Sequence, residues 1–316
     1  MLRKTFLLCT NRGTYEATKV CLHSLLKHNP DSTVYIFSKD LEVDAFSGKP
    51  VRHIQVDSNV DAGAYGMGHY KEGTSDGMVL RLWALDYLKM NSSVERVVYI
   101  DVDTIINGDL REMFEIPFGP DIWLAAAREH SDVDPIAQKI YPLVDDNYGI
   151  RKKKCKVYFN SGVLVVDLNK MPKGIYQYYL DHARFYKFPD QDCLNELVKD
   201  KYLIMPQTYN AMPDFYLWKF KEPAQLISWR RNVKTSKIIH YAGGHKPFME
   251  VANSSRYFLC VPYELYYEYA LEIKDDIHPD IWEIIQANMD KAKYMAMFGD
   301  FITEMTKHRM KYIKKA

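Results

Sequence analysis

The chain lacks a charge surplus of either sign: 42 Lys and Arg stand against 41 Asp and Glu, a formal +1 over 316 residues. A general polyanion binder carries a large basic excess, so this balance argues against nucleic acid as a partner. Cysteine is sparse and unpaired. Cys9, Cys21, Cys155, Cys193 and Cys260 are odd in number and never form C-x-x-C, which argues against a disulfide framework or a zinc knuckle and for a reducing compartment. No window reaches the ~18 apolar residues of a membrane span, and the apolar run near Met1 is too short for a secretory leader. The sequons at Asn91 and Asn253 then read as chance matches, and the expected location is cytoplasmic. Internal repeats and low-complexity tracts are missing as well.

What remains is ordinary globular composition, 47% apolar and 26% charged, long enough for one large α/β domain or two small ones. The 24 Tyr and 5 Trp suit surfaces that hold sugars or other flat polar ligands, and they equally fill cores. Strand and helix signals alternate from the start. Strands are expected at Thr5–Cys9, Val34–Phe37, His53–Val56 and Val97–Ile100, and helices from Ala17 to His28 and from Met78 to Met90. Further strands are expected at Ile122–Ala127, Val163–Val166, Tyr202–Met205 and Lys237–His240, with helices near Ile175–Tyr186 and Gln191–Lys199. The pattern predicts an α/β fold with a mainly parallel sheet flanked by helices, whose ligands gather at the carboxyl ends of strands. From Tyr263 the sequence turns helical, so the division expected is a sheet domain over 1–262 and a helical extension over 263–316. The glycine-rich stretch from Asp57 to Gly77 lacks the third glycine of a dinucleotide fingerprint and reads as a surface loop or a flap.

Four segments could carry chemistry. Asp101-Val102-Asp103 ends the strongest strand, and a strand continuing through it would turn both carboxylates to one side, as hard ligands for a divalent cation. Tyr158-Phe-Asn160-Ser161-Gly162 sets an amide and a hydroxyl just before a buried strand. Pro189-Asp190-Gln191-Asp192-Cys-Leu-Asn195 opens a helix with polar groups. His240-Tyr-Ala-Gly243-Gly-His-Lys246-Pro247-Phe248 follows a strand with glycines that admit a phosphate and a lysine to neutralise it. Each also has an ordinary explanation: an N-cap for Asp190, a β-turn for Gly243-Gly244, a core histidine for His240. Val-Val-Tyr-Ile-Asp-Val-Asp-Thr further resembles the opening motif of haloacid-dehalogenase-type phosphatases, although it falls late in the chain for that fold.

In this order the four motifs resemble glycosyltransferase family 8, over roughly Phe6 to Phe248. The resemblance implies a GT-A fold and a retaining hexosyltransferase. Its donor would be a UDP-sugar (UDP-glucose or UDP-galactose) and its cofactor Mn²⁺, with Mg²⁺ as the alternative. It implies Asp101, Asp103 and His240 as metal ligands, with Val102 between them at the nucleotide. Gly243 and Lys246 then fall at the diphosphate, Asn160, Ser161, Asp190 and Gln191 at the sugar and reaction centre, and Arg81 at the donor. Leu8, Thr10 and Asn11 resemble the loop around uracil and ribose; the family's stacking tyrosine aligns with Thr14, and the nearest ring is Tyr15. The catalytic set so implied is Asp103, Asp190 and Gln191. A glycan, glycolipid or protein-linked hydroxyl is the implied acceptor. Arg128 to Lys156, with the basic run Arg151–Lys156, could face the acceptor or be a solvated loop. The basic, aromatic stretch from Ile281 to Lys315 could rest on an anionic membrane or pack on its own domain. Tyr216 lies near the place of a self-modified tyrosine, so glycogenin-like self-glucosylation is an alternative. A non-catalytic sugar-nucleotide-binding module is another.

Overall fold

A computed structural model of the chain describes residues 4–56, 74–129, 158–183, 186, 188–199, 201–213, 223–250, 258, 261–294 and 297. The elements run β1 (Thr5–Thr10), α1 (Tyr15–His28), β2 (Thr33–Ser38), β3 (Val51–Gln55), α2 (Thr74–Asn91), β4 (Arg96–Ile100) and β5 (Thr104–Ile106). Next come α3 (Arg111–Phe114), β6 (Leu124–Arg128), β7 (Phe159–Asp167), α4 (Ile175–His182), α5 (Pro189–Val198) and β8 (Leu203–Met205). Last are α6 (Pro223–Lys234), β9 (Ile238–His240), α7 (Tyr263–Glu272) and α8 over 279–294. Two compact units are formed. The first joins Met1–Tyr15, Asn29–Val102 and Asp109–Gln207; the second joins Glu16–His28, Asp103–Gly108 and Thr208–Ala316.

The first unit holds a seven-stranded sheet in the order β3-β2-β1-β4-β7-β6-β8. β1 pairs in parallel with β2 and β4, β2 with β3, and β6 with β8, while β7 runs antiparallel to both β4 and β6. The central strands β1, β4 and β7 are buried along nearly their whole length, the behaviour of near-continuous apolar runs covered on both faces. The edge strand β3 is half open to solvent. Since β7 opposes its neighbours, with Ile100 facing Val163 and Arg128 facing Phe159, its first residues lie beside the last residues of β4 and β6. Val79, Leu80, Leu82, Leu85 and Leu88 of α2 join Tyr179 of α4 and Leu194 and Val198 of α5 in the core against this sheet. Each fully buried Leu or Val contributes about 1.5–3 kcal/mol. At the start of α4 Gly174 has φ 74° and no side-chain cap. Asp86 of α2 supplies one from outside, accepting from the N–H groups of Gly174 at 3.0 Å and Tyr176 at 2.9 Å.

In the second unit β5 and β9 form an antiparallel pair, Thr104 facing His240. Ser24 of α1 accepts from the Ile106 N–H at 3.0 Å, and Ala17 and Val20 of α1 enter a core rich in rings: Tyr241, Phe248, Phe258, Tyr263, Tyr266 and Tyr267. His23 and Lys27 of α1 both reach Glu272 at the end of α7, and His28 meets the Tyr269 hydroxyl at 2.8 Å.

Several expectations need correction. β4 stops at Ile100 and Val102-Asp103 form a turn, so strand alternation is not what sets the two carboxylates. β7 starts at Phe159, which places Asn160 and Ser161 within the strand rather than before it. The strand at Lys237–His240 exists but pairs with β5 outside the large sheet. β5 and α6 had no signal strong enough to be expected. The glycine-rich stretch lies outside the described residues up to Gly73, and from Thr74 its backbone is already helical. Also outside them are Cys155 and Cys260, the Asn253 sequon, Tyr216, and the run from His130 to Lys156. Among the described residues no helix is long and apolar enough to cross a membrane.

Candidate active site

In the first unit a charged cluster closes around Arg81. Its position on α2 and its long side chain bring the guanidinium to the ends of β4 and β7, where it is 3% exposed. One nitrogen, Nη2, meets Asp101 Oδ1 at 2.9 Å, and Nε meets Asp190 Oδ2 at 3.2 Å. Nη1 donates to the Ser161 carbonyl at 2.7 Å, and the group stacks over Tyr99 with its carbon 4.5 Å from the ring centre. Burial acts to lower the Arg81 pKa, but Asp101 and Asp190 outweigh it and the net shift is upward. Asp101 is tied further by the Tyr99 hydroxyl, which donates to Oδ1 at 2.5 Å, and by its own N–H, which donates to the Gly162 carbonyl at 2.7 Å. Ser161 Oγ donates to Asp190 Oδ2 at 2.7 Å. Beneath lies Cys9, whose thiol pKa burial pushes upward, so it stays protonated and inert.

Pro189 at the first position of α5 fixes where the helix begins, and Phe188 rather than Asp190 is its N-cap residue. The buried side chains of Asp190 and Gln191 therefore face β7 instead of capping the helix. Gln191 Oε1 accepts from the Ser161 N–H at 3.0 Å and from Asn160 Nδ2 at 3.2 Å. Asn195, one helical turn on, locks α5 to the strand: it accepts from the Phe159 N–H at 3.1 Å and donates to the Phe159 carbonyl at 3.0 Å. Tyr158 donates to Asp192 at 2.5 Å. Glu129, just past β6, accepts from both Asn160 Nδ2 and Gln191 Nε2.

The boundary between the units falls inside the D-x-D motif. On the other side of Val102, in the second unit, the Tyr241 N–H donates to the Asp103 carbonyl at 2.9 Å, continuing the β5–β9 ladder. Asp103 Oδ1 stands 3.2 Å from His240 Nε2, while Lys246 Nζ pairs with Asp103 Oδ2 and donates to the Tyr241 carbonyl at 2.8 Å. Burial acts to raise the Asp103 pKa, yet Lys246 and His240 hold it well below the usual carboxylate range. His240 Nδ1 is bonded to Asn210 Oδ1 at 2.8 Å. An amide oxygen can only accept, so Nδ1 carries a proton and donates to Asn210, which fixes the ring with Nε2 turned toward the carboxylate. Gly243 has φ 96°, a conformation that favours glycine. Phe248 is anchored in the aromatic core, tilted against Tyr266.

The structure thus gathers Arg81, Asp101, Asn160, Ser161, Asp190 and Gln191 in one unit and Asp103, His240, Gly243 and Lys246 in the other. The loop after β1 is organised differently. Leu8 is fully buried within β1, and Asn11 caps a short turn by accepting from the Thr14 N–H at 3.1 Å. The Thr10 and Thr14 hydroxyls are bonded at 3.1 Å. Tyr15 donates to the Ala45 carbonyl and packs edge-on against Phe46; its ring is a staple in that packing. Sequence reasoning missed Tyr99, Glu129 and Asn210. Tyr99 was findable, as the penultimate residue of β4 directly before the D-x-D motif. Glu129 and Asn210 sit in no motif.

Solved structures share this fold. They include the galactosyltransferase LgtC in complex with donor and acceptor sugar analogs (TM-score 0.64, 20% identity, 88% of this chain and 99% of that one). Another is the glycosyltransferase GlyE of Streptococcus pneumoniae TIGR4 (TM-score 0.58, 20% identity, 93% and 64%). The fold is GT-A. The model of the family "Glycosyl transferase family 8" matches residues 6–252, and the chain belongs to that family. A lipopolysaccharide 1,2-glucosyltransferase of Escherichia coli K12 is 28% identical over 222 residues, 67% of this chain and 60% of that protein. General stress protein A of Bacillus subtilis is 24% identical over 64% of this chain and 68% of its own length. The chain therefore spans less than two thirds of the E. coli protein and of GlyE.

Proposed function

We propose that the chain is a retaining, metal-dependent hexosyltransferase that moves glucose or galactose from a UDP-sugar to a hydroxyl of a glycan or glycolipid. The observation that carries this reading is the buried Arg81–Asp101–Asp190 cluster with Ser161 and Gln191 beside it. One guanidinium faces two carboxylates, so the cluster is one negative charge in excess, which suits a sugar whose ring carbon becomes positive as its leaving group departs.

The second unit supports the metal. His240 is held by Asn210 with its Nε2 turned to Asp103, and hydrogen bonding to the other ring nitrogen is how a ligating histidine is oriented. Asp103 and His240 each offer one donor atom, and the family resemblance would add Asp101 as a further ligand. Two carboxylates and an imidazole suit Mn²⁺ better than Mg²⁺, which prefers oxygen alone. When bound, the ion would neutralise charge on the departing diphosphate. Lys246 would add a second positive charge there, and Gly243 would let the backbone approach. Asp190, oriented by Arg81 and Ser161, would face the sugar.

Gln191 is a poor nucleophile, being a neutral amide whose oxygen already accepts two hydrogen bonds. Attack from the leaving-group face, with a departing phosphate oxygen taking the acceptor's proton, is the better account of retention. Accordingly Gln191→Ala is expected to keep measurable turnover, and Asp103→Ala to lose at least about a thousandfold. Equal inactivity of the two would count against same-face attack. The exposed Tyr294 and Met297 next to Lys291 and Lys293 support resting the C-terminal helix on an anionic bilayer.

The test is to incubate the protein with Mn²⁺ and a panel of UDP-sugars without acceptor, measuring released UDP and protein mass. Release with one sugar, stopped by a chelator, would establish the activity and name the donor; a gain of hexose mass would favour self-glycosylation. If neither release nor UDP-sugar binding by calorimetry occurs, the reading fails.

A further inference from the structure

An amide side chain has an ambiguity that a carboxylate lacks: turned over, it exchanges an acceptor for two donors. Two such groups, Asn160 and Gln191, meet beside Asp190, both under 10% exposed. The oxygen of Gln191 is held by the Ser161 N–H at 3.0 Å, and the oxygen of Asn160 by the Gly162 N–H at 2.9 Å. Their nitrogens converge on one atom. Glu129 Oε2 accepts from Gln191 Nε2 at 3.0 Å and from Asn160 Nδ2 at 3.2 Å, and Glu129 itself is 6% exposed. Inverting Gln191 would press its NH₂ against the Ser161 N–H and its oxygen against a carboxylate. Inverting Asn160 would do the same at Gly162 and Glu129. Each flip forfeits three buried hydrogen bonds, the one from Asn160 Nδ2 to Gln191 Oε1 included, and sets like against like. A backbone N–H holds each oxygen end, with Asn160 Nδ2 also donating to Gln191 Oε1, whereas Glu129 holds both nitrogen ends.

We propose that Glu129 is a positioning residue: by accepting from Asn160 and Gln191 it fixes which way both amides face, and with them the donor and acceptor pattern of the reaction centre. This deepens the glycosyl-transfer reading and rests on it for the meaning of that centre. The role needs an oxygen acceptor and no proton transfer. A carboxamide at 129 can supply that oxygen; a methyl group cannot.

The test compares Glu129→Gln and Glu129→Ala. For the alanine variant kcat is expected to fall about a hundredfold, as for a small misplacement of reacting groups, with the donor KM within about threefold of wild type. The glutamine variant is expected to recover to within about tenfold of wild type, with the acidic limb of its kcat–pH profile unmoved. If Glu129→Gln is as inactive as Glu129→Ala, or its acidic limb disappears, Glu129 acts through its charge or as a base and the proposal fails. It fails too if the alanine variant keeps wild-type kcat. A second measurement needs no turnover. In ¹⁵N spectra of side-chain amides, with Gln191→Glu and Asn160→Asp as assignment controls, both NH₂ groups should be shielded from exchange in wild type and Glu129→Gln and lose that protection in Glu129→Ala. Unchanged protection in Glu129→Ala overturns the proposal. Failure of wild type to turn over or bind any UDP-sugar would instead strike the glycosyl-transfer reading and leave the spectra to decide this one.

Discussion

Burial and charge contend most directly at Arg81. Desolvation alone would expel or neutralise a guanidinium this deep, and the two carboxylates reverse the outcome. The same balance makes the residue hard to replace. Arg81→Met leaves Asp101 and Asp190 facing each other without a cation, and breaking a buried pair in this way costs about 3–5 kcal/mol. Urea unfolding should show that loss. Arg81→Lys should recover only a part, because one ammonium cannot reproduce a planar fork that spans both carboxylates and the Ser161 carbonyl. Most of these residues were legible in the sequence through their motifs, Asp101, Asp190 and His240 among them. Glu129 and Asn210 were not, because each is fixed by what approaches it in space, and nothing in its own neighbourhood along the chain marks it.

Between elements, the contact of α1 with α7 makes a pH-dependent joint within the second unit. Burial lowers the His28 pKa from 6.5, and Lys27 adds to this while Glu272 opposes it. The folded state therefore binds its proton less readily than the unfolded state. The contribution to stability is complete above 6.5 and declines as pH falls through that value toward the folded pKa. Thermal midpoints recorded from about pH 8 down to about 5.5 should drop more steeply for wild type than for His28→Gln, which has no proton to take up there. Element by element, the strands of β1, β2 and β4 were readable because burial on both faces leaves uninterrupted apolar runs. β5 was not: its three residues, Thr104–Ile106, offer too short a run to show a period. β7 was read short at its front end because Asn160 and Ser161 look like loop residues, and their polarity serves Arg81, Glu129, Asp190 and Gln191 instead of solvent.

Across the molecule, neither unit is one continuous stretch, since in chain order α1 and β5 of the second fall between segments that belong to the first. A division at residue 262 follows a change of pattern along the chain, whereas the two compact units divide elsewhere, and composition along the chain carries no signal for that interleaving. Binding offers a direct check on the intact protein. A ligand held only by the folded state stabilises it by about 2.7 kcal/mol at a hundred times its Kd. Mn²⁺ should therefore raise the unfolding midpoint by a few degrees, UDP should add to the rise, and Asp103→Ala should abolish the response to the metal. Arg128 and Phe159 face each other as register partners in the sheet, so the polypeptide departs and returns at a single gap in the lattice of strands, next to Glu129 and Asn160. Whatever is spliced between those two anchors shifts no register elsewhere. Such a socket lets the intervening passage be exchanged for another of different length or chemistry while the strands on either side keep their places.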